Sequence, residues 1–584
     1  MKQLGSQDAG FVYNETPNTP MHIAGLGIYD QSTAPGGRLG HKDIIQYVQD
    51  RIHMAPIFRY KYVEVPFGLD KPYWIEDPDF DIEFHIRHIA LPHPGDWRQL
   101  CILISRLNSR PIDFSRPLWE AYVIEGLDNI EGLPKGSFAI MVKTHHAIVD
   151  GASGQGVFGA LHDLTPDGQA SVPAKPMTVD RKPTSLELIG RAIPNRMRNP
   201  LTQVSSIYKT APNLIRNAIK LYKGEIQSGT KLKVPPTRFN RSLSPHRVFD
   251  GTYFDLDKVK AVKNSIGQGT TVNDVMMNIV AGGMRKYLEH HKELPAESLA
   301  AMMPVDIRTE ETRHIEGNQV GGIFSELHTE IEDHVERLVA IHESTTQAKA
   351  LSTQVNTHAV IQNYMFGFMN PKMGRRANRL MQSSGLMEKF GPFACNTLIT
   401  NVPGPNFPLY HAGAEMVAYW GIPPLTDCMG LGHAVFSYCG RISLSAIADR
   451  SMMDDPGFYI DCLNQSFEEM YSASQDFAAT KLKAAADNKA KTKKIAAKKS
   501  SSSTAKKASS TKKAAPNKAK ASTSEAVTEE KPKRKRAARK KTASSSSTKK
   551  EATKSDVSTT KAPAEEKVNT QPQTPTVKSE STAA

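Results

Sequence analysis

The 584-residue chain is predicted to fold as two α/β domains followed by a disordered tail. Apolar runs of strand length alternate with runs of helical spacing, first before residue 180 and again after residue 237, and this alternation is typical of α/β domains. Beyond residue 480 the chain contains no Phe, Tyr or Trp, so it cannot bury enough apolar surface to offset the entropy lost on ordering. We therefore expect domains at 1–180 and 237–475, a basic connecting segment at 181–236, and a disordered tail at 480–584.

The first domain is predicted from short apolar runs and one clear amphipathic pattern. Ile44, Ile45, Val48 and Ile52 recur at helical spacing, and Pro56 follows them, which indicates a helix that ends before the proline. The expected elements are strands at 22–29, 59–65, 74–76, 82–89 and 138–143, and helices at 42–52, 97–107 and 152–161.

The second domain is predicted in the same way. A long helix is expected at 272–288, with Asn273 and Asp274 in its cap region. The other expected elements are strands at 299–305, 395–401 and 442–448, and helices at 338–349 and 456–471. The strand at 395–401 is expected to be broken sharply by the Pro-Gly-Pro run that follows it.

The most informative stretch is HHAIVDG, from His145 to Gly151, directly after the apolar run 138–143. Two histidines at the end of a strand occupy a common position for catalytic groups on a rigid scaffold. A neutral imidazole is well matched to accepting a proton near pH 7. Neighbouring side chains of a strand face opposite ways, so only one of the two can line a given channel. A metal site is disfavoured, because no third ligand stands at zinc-like spacing.

Six further motifs accompany HHxxxDG in a fixed order: PLWE at 117–120, YVIEGL at 122–127, ND at 273–274, PVDIR at 304–308, GN at 317–318 and NVPGP at 401–405. Together they resemble the bacterial wax ester synthase/diacylglycerol acyltransferase family of the CoA-dependent acyltransferase superfamily. The resemblance covers roughly residues 3–467. Asp306 departs from it, because the family more often has a small residue such as Ser there. The resemblance implies two CoA-dependent-acyltransferase-like α/β domains with the active-site channel between them.

The resemblance also implies an activity and roles for the motif residues. The reaction would move a fatty acyl group from acyl-CoA to the hydroxyl of diacylglycerol or a long-chain alcohol, with acyl-CoA as substrate, no bound cofactor and no metal. His146 would be the general base, with His145 as the alternative base. Asp150 would hold the loop by pairing with Arg308, or else orient His146, and Gly151 would allow the tight turn.

Six residues are predicted to bind or border the substrates, and one of them is Arg308, also the candidate partner of Asp150. Pro117, Leu118 and Trp119 are expected to line or support an apolar substrate path, although bulky apolar residues are equally typical of a plain core. Asn273 and Asp274 belong to a family motif, and Asn273 is a candidate donor to the oxyanion.

Charge is divided unevenly along the chain. Residues 481–584 contain 28 Lys and Arg against 9 Asp and Glu, a net +19, so the whole-chain charge of +14 leaves −5 for the remainder. The tail is therefore expected to contact an anionic membrane or a nascent lipid droplet, or nucleic acid, or to act only as a solubilising segment. The stretch 214–222 is amphipathic and basic, which suits either a membrane-surface helix or a crossover helix between the domains.

Localisation is predicted from three negative observations. The first 15 residues have no signal-peptide core, no run of about 18 apolar residues suggests a membrane span, and the five cysteines form no CxxC pair. We expect a cytoplasmic protein associated peripherally with the inner face of the membrane or with lipid droplets. Two other functions remain open from the residues alone: a condensation-domain-like enzyme that uses carrier-bound acyl groups, and a surface- or nucleic-acid-binding protein that works through its tail.

Overall fold

Three β-sheets and the helices packed on them form the described part of the chain. The computed structural model describes residues 1–148, 158–168, 181–195, 234–267, 269–306, 320–354 and 395–507, together with 376, 380 and 384. The strands are β1 (Lys2–Gln3), β2 (His22–Asp30), β3 (Tyr60–Val63), β4 (Tyr73–Glu76), β5 (Ile86–Ala90), β6 (Trp119–Glu125), β7 (Phe138–His145), β8 (Arg247–Asp255), β9 (Ala300–Asp306), β10 (Val320–Glu326), β11 (Thr397–Pro403), β12 (Tyr410–His411), β13 (Ala414–Ile422), β14 (Leu431–Tyr438) and β15 (Arg441–Asp449).

The α-helices lie before, between and after groups of these strands. They are Ser6–Asn14, His41–Arg51, Ile82–His85, Trp97–Asn108, Leu256–Ile266, Val272–His290, His334–Gln354 and Pro456–Lys507, and residues 185–195 are also helical. In the part of the chain that the structure describes, no helix combines the length and the apolar character needed to cross a bilayer. All five cysteines are free thiols.

The first six-stranded sheet has the order β12-β13-β2-β7-β6-β5, and β7 lies inside it between β2 and β6. The antiparallel register of β2 and β7 places His22 opposite His145. β12 and β13 come from residues 410–422, far along the chain, yet they extend this sheet by pairing β13 with β2. The late part of the sequence therefore completes the sheet that carries the histidine motif, and the domain boundaries at 180 and 237 stay a prediction.

The second six-stranded sheet has the order β10-β9-β11-β14-β15-β8, with β11 parallel to both of its neighbours. One apolar core contains Leu26 of β2, Leu100 and Ile104 of the helix Trp97–Asn108, and Phe249 of β8. The same helix donates a hydrogen bond from Trp97 Nε1 to Asp250 Oδ1 at 2.8 Å. This helix therefore links the first sheet to the second.

Most elements of the first domain lie where the sequence predicts them, with one correction. The predicted strand 82–89 is wrong in its first half, because Ile82–His85 is a helical turn and the strand begins at Ile86. The Asp81 side chain accepts a hydrogen bond from the Glu83 amide, and this local cap competes with extended backbone. The strand and helix at 22–29 and 97–107 are confirmed with slightly longer bounds.

Two predictions for the second half also need correction. The helix Val272–His290 is capped by Thr271, with Asp274 completing a capping box, rather than by Asn273. The last helix does not end at residue 471 but continues to Lys507, so it includes the beginning of the predicted tail. The strand predicted at 395–401 is observed as β11, Thr397–Pro403, and it ends at the Pro-Gly-Pro run as predicted. The amphipathic stretch 214–222 and most of the predicted helix 152–161 lie outside the described residues.

Candidate active site

His145 is the last residue of β7, and its side chain is completely buried. Its Nε2 lies 2.7 Å from Glu15 Oε2, and its Nδ1 accepts the amide N–H of Ala147 at 3.0 Å. Because Nδ1 is occupied as an acceptor, the ring proton resides on Nε2 and points at the carboxylate. Both nitrogens are thus engaged, which suits His145 to holding the loop rather than to accepting a substrate proton.

His146 follows in the turn after the strand and is only partly buried. Its amide N–H donates to the carbonyl oxygen of Met21 at 2.8 Å. Its ring stacks on the ring of Phe11, with 4.1 Å between the centroids and 13° between the planes. The two histidines therefore have different environments: His145 is hydrogen-bonded to a carboxylate, and His146 is stacked on an aromatic ring.

The segment from Glu15 to Met21 holds both histidines. Glu15 Oε2 also accepts the amide N–H of Met21 at 3.2 Å. The same carboxylate oxygen therefore contacts both Met21, at the other end of this segment, and His145. A carboxylate that accepts two N–H groups is well fixed. This clamp positions the motif from the side of the neighbouring strand β2.

Beneath the motif lies a buried ion pair between Lys143 and Glu120, with 3.1 Å between Lys143 Nζ and Glu120 Oε2. Lys143 is completely buried, and its ammonium also donates to the carbonyls of Leu107 and Arg110. Burial alone would raise the pKa of Glu120, but the Lys143 charge and a hydrogen bond from Tyr122 outweigh it and hold that pKa below its usual value. Burial lowers the pKa of Lys143 from its usual value, against the opposing effect of the Glu120 charge. The pair ties β6 and β7 to the end of helix Trp97–Asn108.

His22 stands beside His145 in the register of β2 and β7. Its Nε2 donates to the backbone carbonyl of Asn108 at 2.8 Å. Burial, reinforced by the nearby Lys143 charge, lowers the pKa of His22 well below its usual value. His22 is therefore a neutral structural residue next to the motif.

Pro117, Leu118 and Trp119 are all buried and support the motif strand. The Leu118 carbonyl accepts the amide N–H of His145 at 2.9 Å. Trp119 Nε1 donates to the carbonyl of Phe58 at 2.8 Å, and its ring stacks on His85 with 4.6 Å between centroids. These are core contacts, and contact with a substrate stays a prediction.

Asn273 and Asp274 differ in what surrounds them. Asn273 Oδ1 accepts a hydrogen bond from Asn401 Nδ2 at 3.3 Å, which joins the ND and NVPGP motifs. Asp274 is completely buried and accepts bonds from Thr271, His342 and Thr345. Burial alone would raise the pKa of Asp274, but these hydrogen bonds outweigh it, so the pKa lies below its usual value. Asp274 therefore anchors the start of its helix, while Asn273 is less buried.

Asp150, Gly151 and Arg308 lie outside the described residues, so the predicted Asp150–Arg308 pair stays a prediction. Across the described ranges, no group of three or more His, Cys, Asp or Glu side chains is arranged to hold a metal ion. Sequence reasoning missed Glu15, the partner of His145, and the Lys143–Glu120 pair. Glu120 was visible as the last letter of PLWE, but nothing local marks its partner.

Comparison with known proteins identifies the class of this protein as an acyltransferase. Residues 4–276 match the family model described as the wax ester synthase/diacylglycerol acyltransferase catalytic domain, and residues 316–471 match that of the WS/DGAT C-terminal domain. A protein of Mycobacterium tuberculosis named as a diacylglycerol O-acyltransferase is 30% identical, over 82% of this chain and 91% of the relative. The O-acyltransferase WSD of Acinetobacter baylyi is 30% identical, over 78% of this chain and 93% of the relative. The chain belongs to the wax ester synthase/diacylglycerol acyltransferase family.

Solved structures agree on the fold. The wax ester synthase/diacylglycerol acyltransferase from Marinobacter aquaeolei has a TM-score of 0.56 at 24% identity, covering 81% of this chain and 100% of that one. The first condensation domain of the calcium-dependent antibiotic synthetase has a TM-score of 0.50 at 12% identity, covering 82% and 97%. The predicted family, fold class and acyltransferase activity are confirmed: the protein is an acyl-CoA-dependent O-acyltransferase.

Proposed function

We propose that this protein esterifies diacylglycerol, a long-chain alcohol, or both, and so makes triacylglycerol or wax ester. The names of its relatives support these acceptors. The observation that carries the proposal is the division of labour at the end of β7. Glu15 and Ala147 occupy both ring nitrogens of His145, so His145 is not suited to accept a substrate proton, and we assign the role of base to His146, whose ring stacks on Phe11.

In the proposed reaction His146 removes the proton from the acceptor hydroxyl as its oxygen attacks the thioester carbonyl. A new C–O bond forms, and the carbonyl oxygen becomes an oxyanion. Collapse of this intermediate breaks the C–S bond, and coenzyme A leaves as a thiolate. The imidazolium of His146 returns the proton to that sulfur, so the base is regenerated and no acyl-enzyme forms.

The oxyanion needs a donor placed before the reaction. We assign this role to the side-chain amide of Asn273, whose position is set by Asn401 and by the capped helix behind it. Asp150 is proposed to pair with Arg308 and to hold the loop after the histidines. Pro117, Leu118 and Trp119 are proposed to support the wall of the apolar path from behind. No bound cofactor takes part in the proposed chemistry, and acyl-CoA is a substrate.

The tail is proposed to bring the enzyme to an anionic membrane or a lipid droplet at the inner face of the membrane. Its densest cationic stretch is KPKRKRAARKK at residues 531–541, and basic residues are each worth about 1 kcal/mol near an anionic surface. The same charge would bind nucleic acid through counterion release. A chain ending at Lys507 keeps the last helix whole. It should lose the salt-sensitive part of vesicle binding, and equal salt-sensitive binding with and without the tail would contradict this role.

The acceptor is tested with purified protein, palmitoyl-CoA, and either hexadecanol or dioleoylglycerol. Free thiol and ester product are both measured, because thiol release alone would also report hydrolysis. We expect ester and free CoA in equal amounts with at least one acceptor. Thiol release without ester from either acceptor would overturn the proposed function.

A further inference from the structure

Away from the histidine motif, two neighbouring elements expose large apolar side chains to solvent. Leu186 is 82% exposed and Ile193 is 55% exposed, both on the helical segment 185–195, and Phe67 is 73% exposed in the turn Pro66–Gly68. We call these three residues the outer apolar face. One small substructure thus exposes three large apolar side chains.

The outer apolar face is held by a rigid support. Leu188 and Ala192 on the other side of the helix are buried in a separate small core with Val65 and Tyr73 of the β3–β4 hairpin region. Since a helix turns by about 100° per residue, Leu186 and Ile193 share one side of it, roughly opposite to the buried pair. The helix therefore has an apolar inner contact and a second apolar stripe that none of the described residues covers.

Phe67 belongs to the same substructure. It follows Val65 and precedes Leu69, which both pack with the helix in that small core. Its φ of +59° is a backbone conformation that bulky side chains rarely adopt. The turn thus holds an aromatic ring outward, although both the backbone conformation and the exposure are unfavourable in water.

Positive charge borders the apolar stripe. Arg181 and Arg191 both contact Glu187, at 3.1 and 3.2 Å, and Lys182 is exposed beside them. Two arginines therefore share one carboxylate, and the exposed Lys182 adds a further positive charge next to Arg181 in the sequence. Apolar side chains flanked by Lys and Arg are the pattern of segments that lie in the headgroup region of an anionic bilayer.

We propose that the outer apolar face docks the enzyme on an anionic phospholipid surface. Phe67, Leu186 and Ile193 enter the boundary between headgroups and acyl chains, while Arg181, Lys182 and Arg191 meet the phosphates. This inference rests on the proposed function, because a water-insoluble acceptor has to be collected from such a surface. A protein partner is a less suitable occupant, because stable protein interfaces bury roughly 1,200 Å² or more with close complementarity. A fluid bilayer can instead accept three separate apolar side chains.

The test uses the full chain and the triple variant Phe67→Ser, Leu186→Ser, Ile193→Ser. The matched control is Leu164→Ser, because Leu164 is 67% exposed elsewhere on the surface. Binding to phosphatidylcholine vesicles containing phosphatidylserine is measured by sedimentation without acyl-CoA, so the result does not depend on turnover. High salt screens both the cationic tail and the contacts of Arg181, Lys182 and Arg191 with phosphate, so that the apolar contacts alone are compared.

In high salt we expect the wild type and Leu164→Ser to bind equally and the triple variant to bind at least about tenfold more weakly, given the apolar surface lost. Phe67→Trp should in addition show fluorescence quenching by brominated phosphatidylcholine, beyond that of Leu164→Trp. Triple-variant binding equal to wild type, or salt-abolished binding of the wild type itself, would overturn the proposal. Failure of the acceptor assay with intact vesicle binding would instead count against the proposed function alone.

Discussion

Glu15 and His145 are separated by 130 residues of sequence, yet Glu15 Oε2 lies 2.7 Å from His145 Nε2. The contact fixes the ring proton on Nε2, because Nδ1 already accepts the amide of Ala147. His146 is the next residue, and its own amide is held by Met21. The placement of the proposed base therefore depends on a carboxylate that never needs to touch the substrate.

Glu15→Ala should slow turnover without preventing acyl-CoA binding. Loss of the anchor lets His145 shift, and a misplacement of about 1 Å at the base can cost about a hundredfold in rate. We expect kcat to fall by that order while KM for acyl-CoA changes little. Glu15→Gln keeps an oxygen that can accept from His145, so it should recover part of the loss. Wild-type kcat in Glu15→Ala would remove Glu15 from this positioning role.

His146→Ala should abolish most esterification, because the alcohol then loses its proton only to water. The loss of a general base typically costs about 10²–10⁴-fold. Since His146 is partly exposed and its backbone hydrogen bond to Met21 does not involve the side chain, the melting temperature should stay close to wild type. Retention of more than about a third of wild-type kcat would exclude His146 as the base, given that expected loss.

Local patterns were enough to predict the strand that carries the histidines. The apolar run 138–143 lies inside β7, and the helical spacing around Ile44 and Val48 lies inside the helix His41–Arg51. Each of these signals depends on neighbours a few residues apart, which is the range over which periodicity operates. The activity was predicted from the order of the family motifs, because hydrophobic periodicity carries no information about the reaction.

Contacts between distant residues could not be predicted in this way. Nothing near Glu15 indicates that it faces His145, and nothing near residues 410–422 indicates that they extend the first sheet. The alternating apolar pattern predicts strand at residues 82–85, but these residues form a helical turn. The turn is stabilised by the Asp81 side chain, which caps its first residues. Pairings of this kind are set by the assembled fold rather than by local sequence.

Lys143→Met should destabilise the protein severely, because it leaves the buried Glu120 carboxylate with only the partly exposed Arg87, 3.7 Å away, as a cationic partner. Breaking a buried ion pair typically costs about 3–5 kcal/mol. The double variant Lys143→Met, Glu120→Gln removes both charges and should recover much of the free energy of unfolding. Lys260→Met is the control, because its pair with Asp257 is largely exposed and such pairs contribute less than about 1 kcal/mol. Denaturant unfolding measures all three, and equal stability of Lys143→Met and wild type would show that the pair is not needed.

Buried histidines should make the protein lose stability in mild acid. Burial lowers the pKa of His411 to about 3 and those of His162 and His433 to about 4. These pKa values lie below the ordinary 6.5. Between the two pKa values, the three histidines are protonated in the unfolded chain but neutral in the folded protein. Their contribution to stability is complete above pH 6.5, declines as the pH falls, and stops declining once the folded-state pKa is passed.

The variant His411→Phe tests the contribution of a single buried histidine to this acid sensitivity. His411 packs against Tyr47, with 4.6 Å between ring centroids, so phenylalanine keeps an aromatic ring there but cannot take up a proton. Between pH 6 and 4.5, the unfolding free energy of wild type should fall more steeply than that of the variant, by up to about 1.4 kcal/mol per pH unit. Between pH 7.5 and 8.5, where these histidines are neutral in both states, the two profiles should run parallel, which serves as the internal control. Urea unfolding at each pH provides the measurement, and parallel profiles over the acidic range as well would show that His411 does not contribute to acid sensitivity.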